Sequence, residues 1–347
     1  MFIKFDQAIE EILCCPQCKS NLNRLDSGFS CGSCGLFFPL TKIEIGNGLS
    51  ENVYDFRIIG PSYCIPNSKN LWKETQTIFE QFSDDFGSRD SLQEYLDEID
   101  SVKEIYTEEF HINGRVLDVG GHQGRLRHFL GNDVSLYLSI DPFIEGFRGL
   151  VRQPNLLKTY PCLSEPCNFL SANAEYLPLK SRSFDWVHMR SVVDHFEDPY
   201  KAFLEAYRIS RIGGKLLIGL AILEKIRVMP EEENSKVSSL EELTVQPPEV
   251  SYLQRIYRKW KIDGLRGLYR AAMGRIFLRP VTVVQDLPQI EMQVNLVQVH
   301  DDHMFRFTHM QLIDLMEKTG WSVIKQHWQK PPYYYCIYVM GEARLPK

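Results

Sequence analysis

Five of the nine cysteines lie before residue 35, as Cys14-Cys15-Pro16-Gln17-Cys18 and Cys31-Gly32-Ser33-Cys34-Gly35. Counted from Cys15, the pattern is C-x2-C, twelve residues, then C-x2-C. Each C-x2-C turn brings two thiolates onto one ion, and two such knuckles complete a tetrahedral four-sulfur shell. Gly32 and Gly35 suit the tight backbone of a knuckle. The expectation is a structural zinc held by Cys15, Cys18, Cys31 and Cys34. A catalytic zinc would need an open position that four cysteines do not leave; unrelated free thiols are the bland alternative. Cys14 is left over as a small buried hydrophobe. So small a module, placed at residues 1–45, has little core of its own and would depend on its metal to fold. An odd cysteine total, clustered rather than spread, points to a metal site in a reducing compartment and not to a disulfide framework.

A second set of chemically suggestive residues begins at Val116-Leu117-Asp118-Val119-Gly120-Gly121-His122-Gln123-Gly124. This is an apolar strand running into a glycine-rich turn and then a helix. Such a turn lets backbone approach a nucleotide-like ligand, with N–H groups at the helix start as donors. Asp141 ends the next strand, 23 residues after Asp118, where an acid can bind two ribose hydroxyls. Polar segments follow at Asn173-Ala174-Glu175, Arg190-Ser191 and Asp194-His195. His195 falls at the end of the fourth strand, on the carboxyl side of the sheet where ligands bind. Its imidazole suits proton transfer near neutral pH, so it is the candidate base; a positioning or packing role is the alternative. His188 is mid-strand and reads as buried structure. His300, His303 and His309, with Asp301 and Asp302, form a cluster that reads as pocket wall or surface, with a second metal site as the sharper alternative. Tyr333-Tyr334-Tyr335 would line a pocket or cap the sheet edge.

The elements that must position these residues are legible in part. The chain has 347 residues, 44% hydrophobic and 24% charged, with a mean hydropathy of −0.24. That composition excludes extensive disorder and fibrous repeats, and the length implies a main domain with appendages. No apolar run is long enough for a transmembrane helix, and Met1–Asp6 shows no signal-peptide pattern, so a cytoplasmic protein is expected. The expected strands are 115–119, 136–140, 184–189 and 215–220, with helices near 123–131 and 199–210. That alternation marks a mostly parallel sheet with helices on both faces. Residues 46–68 read as a linker and 69–109 as helical, together a linker and helical cap over 46–110. Residues 111–222 carry the core. The tail, 301–347, reads as helix 310–319 and strands 323–326 and 335–340. Between them, 223–300 is an insert: an acidic loop at 231–249, then a helical stretch at 251–279. That stretch holds eight basic residues against Asp263, a net +7, which leaves −13 on the rest of a chain whose net charge is −6. Its bland reading is a solvated helix over the core; a substrate lid or contact with a membrane surface or an anionic polymer is the alternative.

The run from Arg115 to Leu220 resembles the class I S-adenosylmethionine-dependent methyltransferases. It is most similar to the broad group whose motifs read D-x-G-x-G-x-G, D-A-E-x-L-P, F-D-x-V, a histidine segment ending D-P, and E-x-x-R-x-L-x-x-G-G. The tail Phe305-Arg306-Phe307-Thr308 through Gly320-Trp321 resembles that group's ending. The ribbon resembles one found at the front of some of these enzymes, and the separate ribbon subunit that activates others. The resemblance implies a doubly wound, mostly parallel seven-stranded sheet (a Rossmann-like methyltransferase fold) with an N-terminal zinc ribbon and a helical insert. It implies S-adenosylmethionine as cofactor. Asp118, Gly120, Gly121, His122 and Gly124 would form the loop around its methionine part. Asp141 would bind the ribose, Asn173 and Ala174 would face the adenine, and Arg190 and Ser191 would contact the methionine end. Asn173 stands where the family has Asp, and it can still accept a hydrogen bond from the adenine amino group. His122 stands at a family glycine, and His is among the few non-glycine residues enriched at positive φ. Ile212 replaces the usual Pro before Gly213-Gly214.

Three functions follow as expectations. The first is methyl transfer to a small or carrier-linked acceptor such as a sugar, a lipid-linked saccharide or a secondary metabolite. The second is an RNA base methyltransferase, because a ribosomal-RNA methyltransferase family also couples a ribbon to this fold; the +7 insert favours it and the overall acidity opposes it. The third is a non-catalytic binding or scaffold protein whose loop is spoiled by His122. A dinucleotide-binding dehydrogenase fits poorly, because the full G-x-G-x-x-G fingerprint is absent.

Overall fold

Strands rich in Val, Leu, Ile and Phe alternate with helical segments from residue 114 onward, and they assemble into one twisted sheet. The computed structural model describes residues 2–57, 90–222, 297–298, 303–329 and 336–344. The sheet has eight strands in the order β1-β8-β7-β6-β9-β10-β14-β13. They are β1 (Ile3–Lys4), β6 (Gly114–Val119), β7 (Val134–Ile140), β8 (Cys167–Leu170), β9 (Phe184–Arg190), β10 (Ser210–Ala221), β13 (Trp321–Trp328) and β14 (Cys336–Ala343). The pairs from β1 to β10 are parallel, and β14 joins antiparallel to both β10 and β13. Central strands covered on both faces must be apolar on both. Val116, Leu117, Val119, Val187, Met189, Leu216, Leu217 and Ile218 are all buried accordingly. The six strands read from the sequence are present, β8 supplies the seventh that the resemblance implies, and the short β1 extends the sheet beyond it.

The helices carry conventional start signals. In α4 (Pro199–Ile209), Pro199 opens the first turn and the Asp198 side chain accepts from Lys201 N–H at 3.0 Å. In α5 (His309–Lys318), Thr308 and Gln311 form a reciprocal capping box. Helix α2 (Leu92–Glu104) starts at Ser91 and ends in a wider π turn, Ile105–Glu109. The helix expected near 123–131 is instead a 3-10 segment, Arg125–Phe129, entered through Gly124 at φ 84. A short helix α3 (Pro154–Thr159) leads towards β8.

The N-terminal cysteines sit in a separate antiparallel sheet of β2 (Leu22–Leu25), β3 (Gly28–Cys31), β4 (Phe37–Gly46) and β5 (Leu49–Tyr54). Residues 46–54 are therefore a hairpin and not the start of a linker. Gly46, Asn47 and Gly48 all take positive φ (109, 54 and 74°), which turns the chain so that Leu40 pairs with Tyr54. Nor is the ribbon a detached bead. Phe29, Phe38, Tyr54 and Phe56 stack at centroid distances of 4.9–5.8 Å and share one hydrophobic core with Leu177, Leu179 and Phe203. Cys14 N–H donates to Pro178 O at 3.0 Å, and Lys180 N–H to Ile12 O at 2.8 Å. The Lys19 ammonium meets Glu205 of α4 at 2.6 Å, and Glu205 also accepts from Leu177 N–H (3.0 Å) and from Arg208.

The described residues hold no helix long and apolar enough to cross a membrane. The acidic loop at 231–249, the basic stretch at 251–279, Tyr333-Tyr334-Tyr335, His300, Asp301, Asp302 and the first part of the 69–109 helical stretch lie outside the described residues.

Glu205→Ala leaves Lys19 and the Leu177 N–H without their shared acceptor. It should cost about 3 kcal/mol in urea unfolding, and Glu205→Gln distinctly less. Equal losses would mean that Glu205 is held by packing and not by charge.

Candidate cofactor site and active site

The glycine turn opens at the carboxyl ends of β6 and β7, and a cavity of about 1040 Å³ lies against it. Its walls include Asp118, Gly120, Gly121, His122, Asp141, Asn173, Ala174, Arg190, Ser191 and His195. Gly124 is not in this wall. A Cβ there would meet Cys167 Sγ and Arg127 Nε, both at 3.0 Å, so its role is to turn the chain.

Asp118 organises the turn. It is 3% exposed, and its carboxylate meets His188 Nδ1 at 2.7 Å and the Tyr137 hydroxyl at 2.5 Å. His188 in turn meets the Tyr106 hydroxyl through Nε2 at 2.8 Å. His188 is thus buried mid-strand structure that anchors Asp118. A Cβ on Gly121 would lie 2.4 Å from Asp118 Cγ, and one on Gly120 would lie 2.2 Å from a Val192 methyl. Both positions require glycine for close approach. His122 holds φ 48, the left-handed conformation that a glycine would supply. Its ring stacks on Phe143 at 5.5 Å and 17° and fills the space beside Gly146. Burial pushes its pKa down to about 3, so the ring is neutral.

The far side of the cavity carries residues that no local motif announces. Glu98 of α2 accepts from Arg125 (3.0 Å) and Arg190 (3.1 Å). Burial opposes ionisation of Glu98, and the two guanidiniums outweigh it, holding its pKa below the ordinary value. Glu98 in return favours the cation at Arg190, against its burial. Only the helical period of 92–106 hinted at this wall. Ser191 takes φ 52 and donates its N–H to Gly219 O at 2.8 Å. Asp141 turns the chain by accepting from Phe143 N–H at 2.8 Å.

At the opposite end, the buried Asn173 Oδ1 has no hydrogen-bond partner among the described residues. Buried polar atoms are rarely left so. Together with the glycine cradle and the strand-end acid Asp141, this atom is a feature that a nucleoside-bearing ligand would complete. Glu175 stands next to Asn173. It accepts from Glu197 N–H (2.8 Å), and burial raises its pKa to about 7. His195 lies at the rim beside His303.

In the ribbon, Cys15 Sγ and Cys34 Sγ are 3.5 Å apart, and Cys18 Sγ and Cys31 Sγ 3.4 Å. All four sulfurs lie within 4.8 Å of one another, and all four cysteines are free. Zinc–sulfur bonds of about 2.3 Å set tetrahedral edges near 3.8 Å, so the cluster is compatible with zinc.

Residues 117–218 match the family described as methyltransferase domain. No curated protein matches the sequence. Among solved structures, an S-adenosylmethionine-dependent methyltransferase from Thermotoga maritima is 19% identical, with 78% of this chain and 100% of that chain covered, at a TM-score of 0.40. A chain of the Haloferax volcanii complex that contains the Trm112 methyltransferase activator is 12% identical, with 77% and 98% covered, at 0.44. An S-adenosylmethionine-dependent methyltransferase from Aquifex aeolicus is 14% identical, with 73% and 98% covered, at 0.37. Superpositions this loose add little to the strand order itself. Residues 117–218, which match the methyltransferase-domain family, build the β6-to-β10 part of the sheet.

Proposed function

We propose that the chain is an S-adenosylmethionine-dependent methyltransferase acting on a small or carrier-linked acceptor: a sugar, a lipid-linked saccharide or a secondary metabolite. The observation that carries the reading is the cavity. It lies at the upper end of the usual range of about 300–1,000 Å³ for ligand sites and is built on the two glycines that tolerate no Cβ. Asn173 Oδ1 would accept from the adenine amino group, and Asp141 would take the ribose hydroxyls. Gly120 and Gly121 would let the backbone approach the methionine part, with Arg190 and Ser191 at its end. Bound S-adenosylmethionine supplies an electrophilic methyl group on a sulfonium.

The protein must then hold the acceptor in line with that methyl, keep water out and remove one proton. His195, at the rim, is placed to meet the acceptor, and a neutral imidazole there can take the proton. The left-handed φ of His122 supports a working loop over a spoiled one. The four cysteines would hold zinc as a structural ion, and a cytoplasmic location accords with free thiols.

Calorimetry on zinc-loaded protein should show heat with S-adenosylmethionine. Gly121→Val should abolish it, and Asn173→Leu should weaken binding about tenfold. No heat with the unaltered chain would refute the reading.

Two buried groups of the cavity wall, His122 and Glu175, also shape the pH profile. The unfolded chain protonates His122 below 6.5, whereas the folded chain resists until about 3, so stability falls as pH drops through that window. The folded chain keeps Glu175 protonated up to about 7, whereas the unfolded chain ionises it above 4.5, so stability falls as pH rises through that interval. In thermal melts, His122→Asn should flatten the acid limb and Glu175→Gln the limb approaching neutrality. Parallel profiles for all three proteins would remove both assignments.

A further inference from the structure

At the cavity rim three side chains converge. Asp194 and His195 belong to the 3-10 turn Val193–His195 that follows β9, and His303 precedes β12 (Phe305–Arg306). Met304 N–H donates to Asp194 O at 2.8 Å, which fixes the tail against the turn. The imidazoles of His195 and His303 face each other at 4.6 Å and 31°. Asp194 lies between them: Oδ1 is 3.9 Å from His195 Nε2, and Oδ2 is 3.5 Å from His303 Nε2. One donor atom from each of the three residues lies within 4.8 Å of the other two.

Asp194 is 5% exposed, and its Oδ1 has no hydrogen bond among the described residues. A buried carboxylate oxygen without a partner is costly, and 3.9 Å is too long for a hydrogen bond. The spacing suits a shell around an ion better. Metal–nitrogen and metal–oxygen bonds of about 2.0–2.2 Å set tetrahedral ligand–ligand edges of about 3.3–3.6 Å, which small side-chain rotations would reach from here. One carboxylate and two imidazoles are also the donor set of three-ligand sites that keep positions open. Arg306 Nη2 lies 3.3 Å from His303 Nδ1 and steadies the ring without an ion. When Nε2 takes an ion, Nδ1 carries the proton and Arg306 must turn aside.

We propose that Asp194, His195 and His303 bind a divalent transition ion of the Zn²⁺, Co²⁺ or Mn²⁺ kind, with its open positions towards the cavity. The inference rests on the methyltransferase reading for its purpose. An ion here would take an acceptor hydroxyl oxygen and favour its deprotonation. The oxygen–methyl bond then forms as the sulfur–methyl bond breaks, and the hydroxyl proton leaves to solvent. His195 serves as a ligand in place of a base, and the acceptor is an alcohol or phenol.

The test uses the full chain with its cysteine site first filled with Zn²⁺ and then titrated with Co²⁺. A second ion per chain should appear, with weak visible bands and no thiolate charge transfer. His303→Gln and Asp194→Asn should weaken Co²⁺ binding about tenfold or more. Thermal melts in the same samples check folding, and His195→Gln replaces any variant that fails to fold. No second ion in the unaltered chain, equal binding in the variants, or bands showing only thiolate charge transfer would overturn the site. Calorimetric heat with S-adenosylmethionine but no second ion removes this site alone. A second ion without that heat keeps the site and removes the methyltransferase reading.

Discussion

The contact between Asp118 and His188 is the constraint on which the rest of the site depends. It ties the end of β6 to the middle of β9 at 2.7 Å, inside a sheet where neither residue reaches solvent. Tyr137 and Tyr106 close the network at both ends. A buried carboxylate is tolerable only when its oxygens are satisfied, and here they are satisfied by side chains of the scaffold. The carboxylate therefore acts as a post around which the chain must turn. With Asp118 fixed, the backbone passes so close that Gly121 admits no side chain. The glycine turn is a consequence of that post as much as of any ligand.

Much of the fold was legible because its strands are apolar on both faces and its turns carry glycine. Strands β6, β7, β9 and β10 fell within a few residues of expectation. The misses share a physical cause. Strand β8 has four residues and β1 has two, too short for periodicity to register. The segment 46–54 reads as a linker because Gly46-Asn47-Gly48 dominates its composition, yet three consecutive positive φ values make a hairpin of it. The stretch after Gly124 has helical composition, but Arg127 bonds back to Gly124 O at 3.2 Å through both its N–H and its guanidinium, so the chain tightens into a 3-10 turn.

The site divides along the same line. Asp118, the glycines, Asp141 and Asn173 stand at strand ends, where a short motif is enough to place them. Glu98 reaches Arg190 across 92 positions of sequence, and His303 reaches Asp194 across more than a hundred. Contacts of that kind are made by the fold and leave no local spacing. The sequence did place His303 in a histidine and aspartate cluster of the tail; its partners in the fold are Asp194 and His195, which approach from the other side of the cavity.

The ribbon belongs in the same chain of dependence. Lys19 follows Cys18 in the first cysteine knuckle at φ 61, a left-handed conformation uncommon for a non-glycine residue. From there its ammonium reaches Glu205, which also holds Leu177 N–H. Leu177 ends the short turn that begins at Asn173, the residue offered to the adenine. A metal held by Cys15 and Cys18 would fix Lys19, and through Glu205 it would steady the turn on which the proposed cofactor contact rests. A ribbon packed into the core of the large sheet can set the shape of that pocket without touching a ligand, which a module tethered by a linker could not do.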